Sequence, residues 1–413
     1  MNTGPSENSD TMDRLPTALI LKPGRDKPVR NRHPWIFSGA IAALEGPEPK
    51  PGGLVDILDD QRQWLARGYY NRHSQIRARV LSWTAPQPID RAFWSSKIRQ
   101  ALALRRSLAL EPETNAYRLV NAESDGLPGL IVDKYADFLV IQCLTAGIDS
   151  RKSELISILG DLLKPAGVIE RSDASVRKKE GLRKESGLRF GVPPPTLLTV
   201  MENGIIMQAD LHQGHKSGLY LDQRENRSHV GQSRVVGGRD VLNVFAYTGA
   251  FGLYAARAGA STITNIEQSA DFLETARLNM SLNGYERNQD SYLSGDAFQL
   301  LRQLRESGES YDVVILDPPK FASSRKDVLA ASRGYKDLNF QALHLLRPEG
   351  ILATFSCSGH IDLDLFQKIL FAAAVDAGRD VQILRYLTQG PDHPIAVNFP
   401  ESAYLKGFLC RVL

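Results

Sequence analysis

The chain has 413 residues, a net charge of +3, 42% hydrophobic and 23% charged residues. It is too long for one compact core, ordinary in composition for a globular protein, and too weakly basic to announce nucleic-acid binding by charge alone. Three cysteines with no CxxC pair argue against a disulfide framework and a structural zinc site, and no apolar run reaches the roughly 20 residues of a membrane span. A cytoplasmic protein without a metal or membrane partner is expected.

Residues 1–15, "MNTGPSENSDTMDRL", lack the basic and apolar regions of a secretory signal and read as a disordered extension. Residues 16–83 hold short β-type runs such as "GGLVDILDD", "WLARGYY" and "IRARVLSW" between Gly, Pro and Asp, which predicts a small β-rich domain. Within it, "LKPGRDKPVRNRHPWIF" sets Arg32 and His33 beside Trp35 and Phe37, a pairing of cations and rings suited to phosphates and bases. "TAPQP" reads as a linker into residues 84–190. That stretch carries a helix ("DRAFWSSKIRQALALRRSLAL"), two strands ("LPGLIVDKY", "DFLVIQCLTAG"), a helix from about Ser153 to Leu163 and a basic run, "RSDASVRKKEGLRKE". "VPPP" marks the boundary to residues 191–413.

From about residue 236 strands and helices alternate. The strands are "DVLNVF", "STITNIE", "DSYLS", "YDVVILD", "GILATFS", "DVQILRYL" and "YLKGFLCRVL", the last two close enough to pair antiparallel. This predicts a doubly wound, mainly parallel Rossmann-like α/β sheet whose ligands sit at the strands' carboxyl ends. The first strand runs into Gly249 and Gly252, a turn where bare backbone can approach a ligand. The second ends in Glu267, placed for a ribose hydroxyl, and the third in Asp296, placed for an adenine amine. No phosphate-binding GxxxxGK[ST] loop occurs, so an adenosine without phosphates, S-adenosylmethionine, fits better than NAD.

The fourth strand ends in "LDPPKF". Asp317 and the two prolines form a rigid acidic turn able to grip a base edge, with Lys320 beside it and Phe321 available to stack. The fifth delivers Cys357 in "FSCSGH", among small polar residues just past a strand. Cys143 and Cys410 instead lie inside apolar runs and read as core. A thiol there suits pyrimidine chemistry, in which a thiolate adds to carbon 6 of cytosine and activates carbon 5. It needs a lowered pKa, with Lys320 and His360 as candidate neighbours. The rival within the same class is methylation of a purine with Cys357 a bystander. A nicotinamide oxidoreductase and an RNA-binding module with an inactive catalytic domain are the rivals outside it.

"LDPPKFASSRKDVLAASRGYKDLN", "TFSCSGHIDLDLFQKIL", "GHKSGLYLDQRENR" and "RHPWIFSGAI" together resemble the bacterial large-subunit ribosomal RNA methyltransferase I family, from about residue 18 to the end. The resemblance implies a PUA-like RNA-binding domain, a small α+β domain arranged strand-strand-helix-strand-strand, and a class I methyltransferase that makes 5-methylcytosine in 23S ribosomal RNA. It implies Cys357 as nucleophile and Asp317 in the proline turn. Tyr247, Thr248, Gly249, Glu267, Asp296 and Asp317 would serve the cofactor, with Asp222, Gln223 and Arg224 closing its site. Arg32, His33, Trp35, Lys320 and Phe321 fall to the RNA, met before the subunit is fully assembled. No protein partner is implied and a homodimer is left open. Two departures are Glu267 where aspartate is usual, and Lys320 where many RNA 5-methylcytosine enzymes carry a second cysteine. No residue is assigned to remove the carbon-5 proton.

Overall fold

The computed structural model describes residues 15–85, 87–322 and 324–413, so all of the N-terminal extension but Leu15 lies outside the described residues. Contacts divide the chain into two units. One comprises the described residues to Leu108, Arg118–Pro194 and Ile395–Pro400; the other comprises Ala109–Tyr117, Pro195–Pro394 and Glu401–Leu413.

In the first unit β1 (Ala18–Leu21), β2 (Trp35–Phe37), β3 (Ile41–Glu45), β4 (Leu54–Leu58), β5 (Trp64–Tyr70) and β6 (Ile76–Ser82) form a sheet in the order β2-β6-β5-β4-β1-β3. Leu19, Leu21, Val55, Ile57, Ala66, Ala78 and Val80 build its core. Between Val55 and Ile57 the alternation turns Asp56 to the other face, where Arg67 Nε donates to it at 2.8 Å. The helix Arg91–Ser107 is started by Asp90, whose carboxylate accepts from Phe93 N–H, and it buries Phe93, Trp94, Ile98 and Leu102. A second sheet, in the order β11-β10-β9-β8-β7, is made by β7 (Ala116–Asn121), β8 (Leu130–Tyr135), β9 (Phe138–Cys143), β10 (Gly167–Ser172) and β11 (Glu185–Gly191). It has one strand more ahead of its helices than the expected strand-strand-helix-strand-strand. "AYRLVN" carries too few apolar residues in alternation to announce itself.

The second unit opens with a hairpin, β12 (Leu198–Glu202) and β13 (Ile205–Ala209). Its main sheet comprises β14 (Asp240–Val244), β15 (Thr262–Glu267), β16 (Ser291–Ser294), β17 (Tyr311–Leu316), β18 (Leu346–Ser356), β19 (Val381–Thr388) and β20 (Lys406–Val412), in the order β16-β15-β14-β17-β18-β20-β19. The first five pair in parallel, and β20 runs antiparallel to both β18 and β19. Helices on both faces explain why β14 and β17 are buried along almost their whole length, and Leu242, Val244, Val314, Leu316 and Leu352 lie in the core. Strand order reverses between β14 and β17, so the crevice beyond their carboxyl ends is the expected ligand position. The expected Rossmann-like architecture is borne out.

Glu202, at the end of β12, anchors the hairpin. Arg227 grips its carboxylate with Nε at 2.7 Å and Nη2 at 2.6 Å, both side chains being buried, and Tyr254 OH donates at 3.0 Å. Removing one partner strands a buried charge. Arg227→Met should therefore cost about 3–5 kcal/mol, and Glu202→Leu with Arg227→Met far less than the sum of the single changes. Hydrogen exchange of peptides from 198–209 and 224–230 checks this; additive losses would contradict it.

Candidate active site

The chain leaving β14 is strained where it turns. Phe245 (φ 62°), Tyr247 (φ 50°) and Gly249 (φ 80°) all sit in the left-handed region, and a Cβ on Gly249 would meet Ala276 Cβ at 2.8 Å. Gly249 caps the helix Ala250–Arg257. Glu267 holds this turn in place: its carboxylate accepts from Tyr247 N–H at 2.8 Å, and from Gln268 N–H and Ser269 N–H at 2.8 and 3.2 Å. Its spare lone pairs remain for a hydroxyl. Asp296, past β16, caps the helix Ala297–Glu306 by accepting from Gln299 N–H.

These ends surround a cavity of about 320 Å³, lined among others by Tyr220, Tyr247, Thr248, Glu267, Asp296, Phe298, Asp317 and Phe321. A hydroxyl with no partner among the described residues, the buried Thr248 Oγ1, lies in this lining. Carboxylates for hydroxyls and an amine, aromatic walls and a spare hydroxyl suit the adenosine part of S-adenosylmethionine, and the bare turn at Gly249 lets it come close. Of the residues expected at the cofactor, Tyr247, Thr248, Glu267, Asp296 and Asp317 line the cavity, with Gly249 in the turn.

Asp222, Gln223 and Arg224 do not line it; they brace it from behind. Gln223 Nε2 donates to Asp317 at 2.9 Å, and Asn226 Nδ2 fixes that amide by donating to Gln223 Oε1 at 2.6 Å. Asp222 accepts from Lys216 Nζ (2.6 Å) and Tyr404 OH (2.7 Å), and Arg224 donates to Asp392 at 2.9 Å. His215, which lines the cavity, and Phe272, which packs on Tyr247, were missed in the sequence. His215 stacks on Tyr247 at 4.9 Å, Phe272 meets Tyr247 edge-on at 4.6 Å, and Tyr247 OH donates to Gly218 O at 2.8 Å. The only signal for His215 was "GHKSGLYLDQR", whose glycines and aromatics gave no fixed period, and Phe272, in "SADFLE", carried none.

The two carboxyls of this wall are driven apart. Burial pushes both up. For Asp222 the Lys216 ammonium and the bonds from Lys216 and Tyr404 outweigh it and hold the group well below the usual range. For Asp317 burial wins, with Asp222 adding repulsion, and the group is pushed up to about 6.

Cys357 follows β18 and is half-buried, though not part of the cavity lining. Burial pushes its thiol up. The Lys216 ammonium pulls it down, Asp317 and Asp222 push it up, and Lys320 pulls it down, with a net rise. The lowered pKa expected of it is thus not found in this state of the site. Lys320 is an expected neighbour that does act on the thiol, whereas His360 is exposed. Ser358 joins the two loops, its Oγ accepting from Ala322 N–H at 3.2 Å and lying 3.1 Å from Tyr335 OH. Phe321 packs at 4.8 Å from the Tyr335 ring. Cys143 and Cys410 are fully buried, and burial pushes each thiol up to about 12.

In the first unit Trp35 lies in an edge-on cluster with His33 (6.1 Å), Phe37 (6.1 Å) and Phe399 (4.7 Å), and its Nε1 donates to Glu123 at 2.8 Å. Part of the Trp35 ring is thus spent on packing, and Phe37, 50% exposed, is the open ring of the cluster. The Arg32 guanidinium sits 5.6 Å from the Trp83 ring centre.

Residues 19–83 match the PUA-like domain family, and residues 183–410 match the S-adenosylmethionine-dependent methyltransferase family. The ribosomal RNA large subunit methyltransferase I of Shewanella amazonensis is 48% identical over 95% of this chain and 99% of its own length. That of Photobacterium profundum is 46% identical over 96% and 100%. Among solved structures SMU.776, a methyltransferase complexed with SAH, superposes with a TM-score of 0.83 at 22% identity, covering 95% of this chain and 99% of its own, a likeness of fold. The chain belongs to the ribosomal RNA large subunit methyltransferase I family and is an S-adenosylmethionine-dependent methyltransferase.

Proposed function

We propose that the enzyme methylates carbon 5 of a cytosine in 23S ribosomal RNA through a covalent adduct to Cys357. The substrate class rests on the relatives, which are named for large-subunit ribosomal RNA. One observation carries the chemistry: the Cys357 thiol and the Asp317 carboxyl are near enough for one to act on the other's ionisation, on loops joined through Ser358. Carbon 5 of cytosine is a poor nucleophile. Addition of the Cys357 thiolate to carbon 6 makes it a good one, and loss of the carbon-5 proton then lets the thiolate leave. Tyr247, Thr248, Glu267 and Asp296 would hold S-adenosylmethionine, which when bound supplies an electrophilic methyl group. Asp317, once ionised, accepts from the exocyclic amine of the base, and Phe321 stacks on it. Asp222, Gln223 and Arg224 act by bracing this wall.

In this reading residues 16–83 dock folded RNA through Arg32, His33 and the Trp35–Phe37 cluster, residues 84–190 form the small middle domain, and residues 191–413 carry the chemistry. Lys320, exposed beside the proline turn, meets a phosphate. The substrate is RNA not yet covered by ribosomal proteins, in the cytoplasm. One copy of the chain supplies every residue invoked. A second reading, methylation of a purine with Cys357 a bystander, draws on the raised thiol and its place outside the cavity lining.

Incubating purified 23S RNA and assembled large subunits with the enzyme, then digesting to nucleosides for mass spectrometry, tests the proposal. It predicts 5-methylcytidine, formed faster on the free RNA, and a loss of at least about 10³-fold in Cys357→Ala. A methylated purine, or a Cys357→Ala enzyme of near-normal rate, would overturn it. Cofactor binding carries a second test. Because Asp317 takes up a proton near pH 6, a sulfonium cation in the cavity should bind more weakly as pH falls below about 6, by up to about tenfold per unit, and should release protons there. Calorimetry in buffers of different ionisation enthalpy measures both, and Asp317→Asn should flatten the dependence.

A further inference from the structure

Lys406 is the first residue of β20 and lies directly across the ladder from Ser356, the last residue of β18. Opposed residues of an antiparallel pair point to the same face, so the lysine runs out beside the residue that precedes Cys357. It is only 7% exposed. Its Nζ donates to the carbonyl of Ser358 at 2.7 Å and to that of Ile361 at 2.6 Å, gathering the turn that carries Cys357 around one amine. Among the described residues no carboxylate lies within ion-pairing distance of it. A buried lysine without a carboxylate partner is costly, and mere anchoring of two carbonyls does not call for a charge.

The groups acting on this amine are few. Burial pushes it down to about 8, the Cys357 thiolate and Asp362 act upward, and Lys320 acts downward. Cys357 in turn faces Lys216, Lys320, Asp317 and Asp222, and it acts on the phenols of Tyr220 and Tyr335. A neutral amine has two N–H groups and a lone pair, an ammonium three N–H groups. The bonds to Ser358 and Ile361 therefore persist in either state, and the remaining position is free to take a proton or carry one.

We propose that Lys406 is the positioning residue of the nucleophile, fixing the Cys357 turn through Ser358 and Ile361 and taking up the thiol proton when the thiolate forms. The S–H bond breaks and an Nζ–H bond forms, directly or through water, so a neutral thiol and a neutral amine become a thiolate and an ammonium with no change in net charge. When the thiolate leaves carbon 6 of the base, the same proton can return to it. This assignment rests on Cys357 being the nucleophile proposed above, but its test needs neither RNA nor cofactor.

Alkylation of Cys357 by iodoacetamide, followed by peptide mass spectrometry on the full chain from pH 6 to 10, reads the thiolate directly. In Lys406→Met the profile should move to higher pH and the rate at pH 8 should fall about tenfold, one pKa unit. Lys406→Arg keeps donors for both carbonyls and a permanent cation but has no lone pair to take the thiol proton, so it should hold the thiolate by charge alone and alkylate at least as fast as the wild type at pH 8. A turn merely set loose would return the thiol toward its ordinary value and make it react faster. Faster alkylation in Lys406→Met, an unchanged profile, or an arginine variant as slow as the methionine one would each overturn the proposal. A Lys406-dependent profile in an enzyme whose product is not 5-methylcytidine would instead sink the assigned reaction and leave the Lys406–Cys357 coupling standing.

Discussion

Two carboxyls that cannot both ionise cheaply, the buried Asp222 and the half-buried Asp317, set the character of this site. Asp222 has two strong donors, Lys216 and Tyr404, and stays charged; Asp317 has one neutral amide donor, from Gln223, and is pushed up to about 6. The two residues are linked through consecutive positions of one short turn, Leu221–Gln223, so a single local conformation fixes both environments. Pairs of acids pushed apart in this way mark where a protein keeps one group as fixed charge and the other as an exchangeable one. A cation entering the cavity offsets the burial, and the smaller repulsion from Asp222, that raise Asp317. The same carboxyls push the Cys357 thiol up, so filling the cavity with a cation also favours the thiolate.

The backbone around the cofactor turn carries the cost of that arrangement. Phe245 and Tyr247 with positive φ cost roughly 1–3 kcal/mol each. The cost is offset locally: Tyr247 gives its N–H to Glu267, its hydroxyl to Gly218 O, and its ring to His215 and Phe272. Glu267 thus has a structural task as well as a place in the cavity lining. Its longer side chain, compared with aspartate, reaches back to three backbone N–H groups at once.

Much of the second unit was legible because its information is local. Strands buried on both faces announce themselves as apolar runs, acids at their ends mark the edge where ligands sit, and Cys357 differed from Cys143 and Cys410 by its polar flanks. What escaped depends on partners far apart in the chain. Tyr404 meets Asp222 across 182 positions, Gln223 meets Asp317 across 94, and Lys406 reaches Ser358 across 48. No periodicity encodes such pairs. Asp222, Gln223 and Arg224 were set near the cofactor by resemblance and prove to brace its wall. Trp35 read as a stacking platform, but Phe399, from a segment more than 360 positions away, takes up one of its edges and leaves Phe37 exposed.

The most direct test of the central claim traps the chemistry on the base. Fragments of 23S RNA transcribed with 5-fluorocytidine would be incubated with enzyme and S-adenosylmethionine and run on a denaturing gel. Fluorine at carbon 5 cannot leave as a proton, so a thiolate adduct persists once the methyl group has been transferred. A shifted band that requires both the cofactor and Cys357 is the expected result. Methyl incorporation into ordinary RNA with no shifted band from the fluorinated one would contradict it and return Cys357 to the role of a packed thiol.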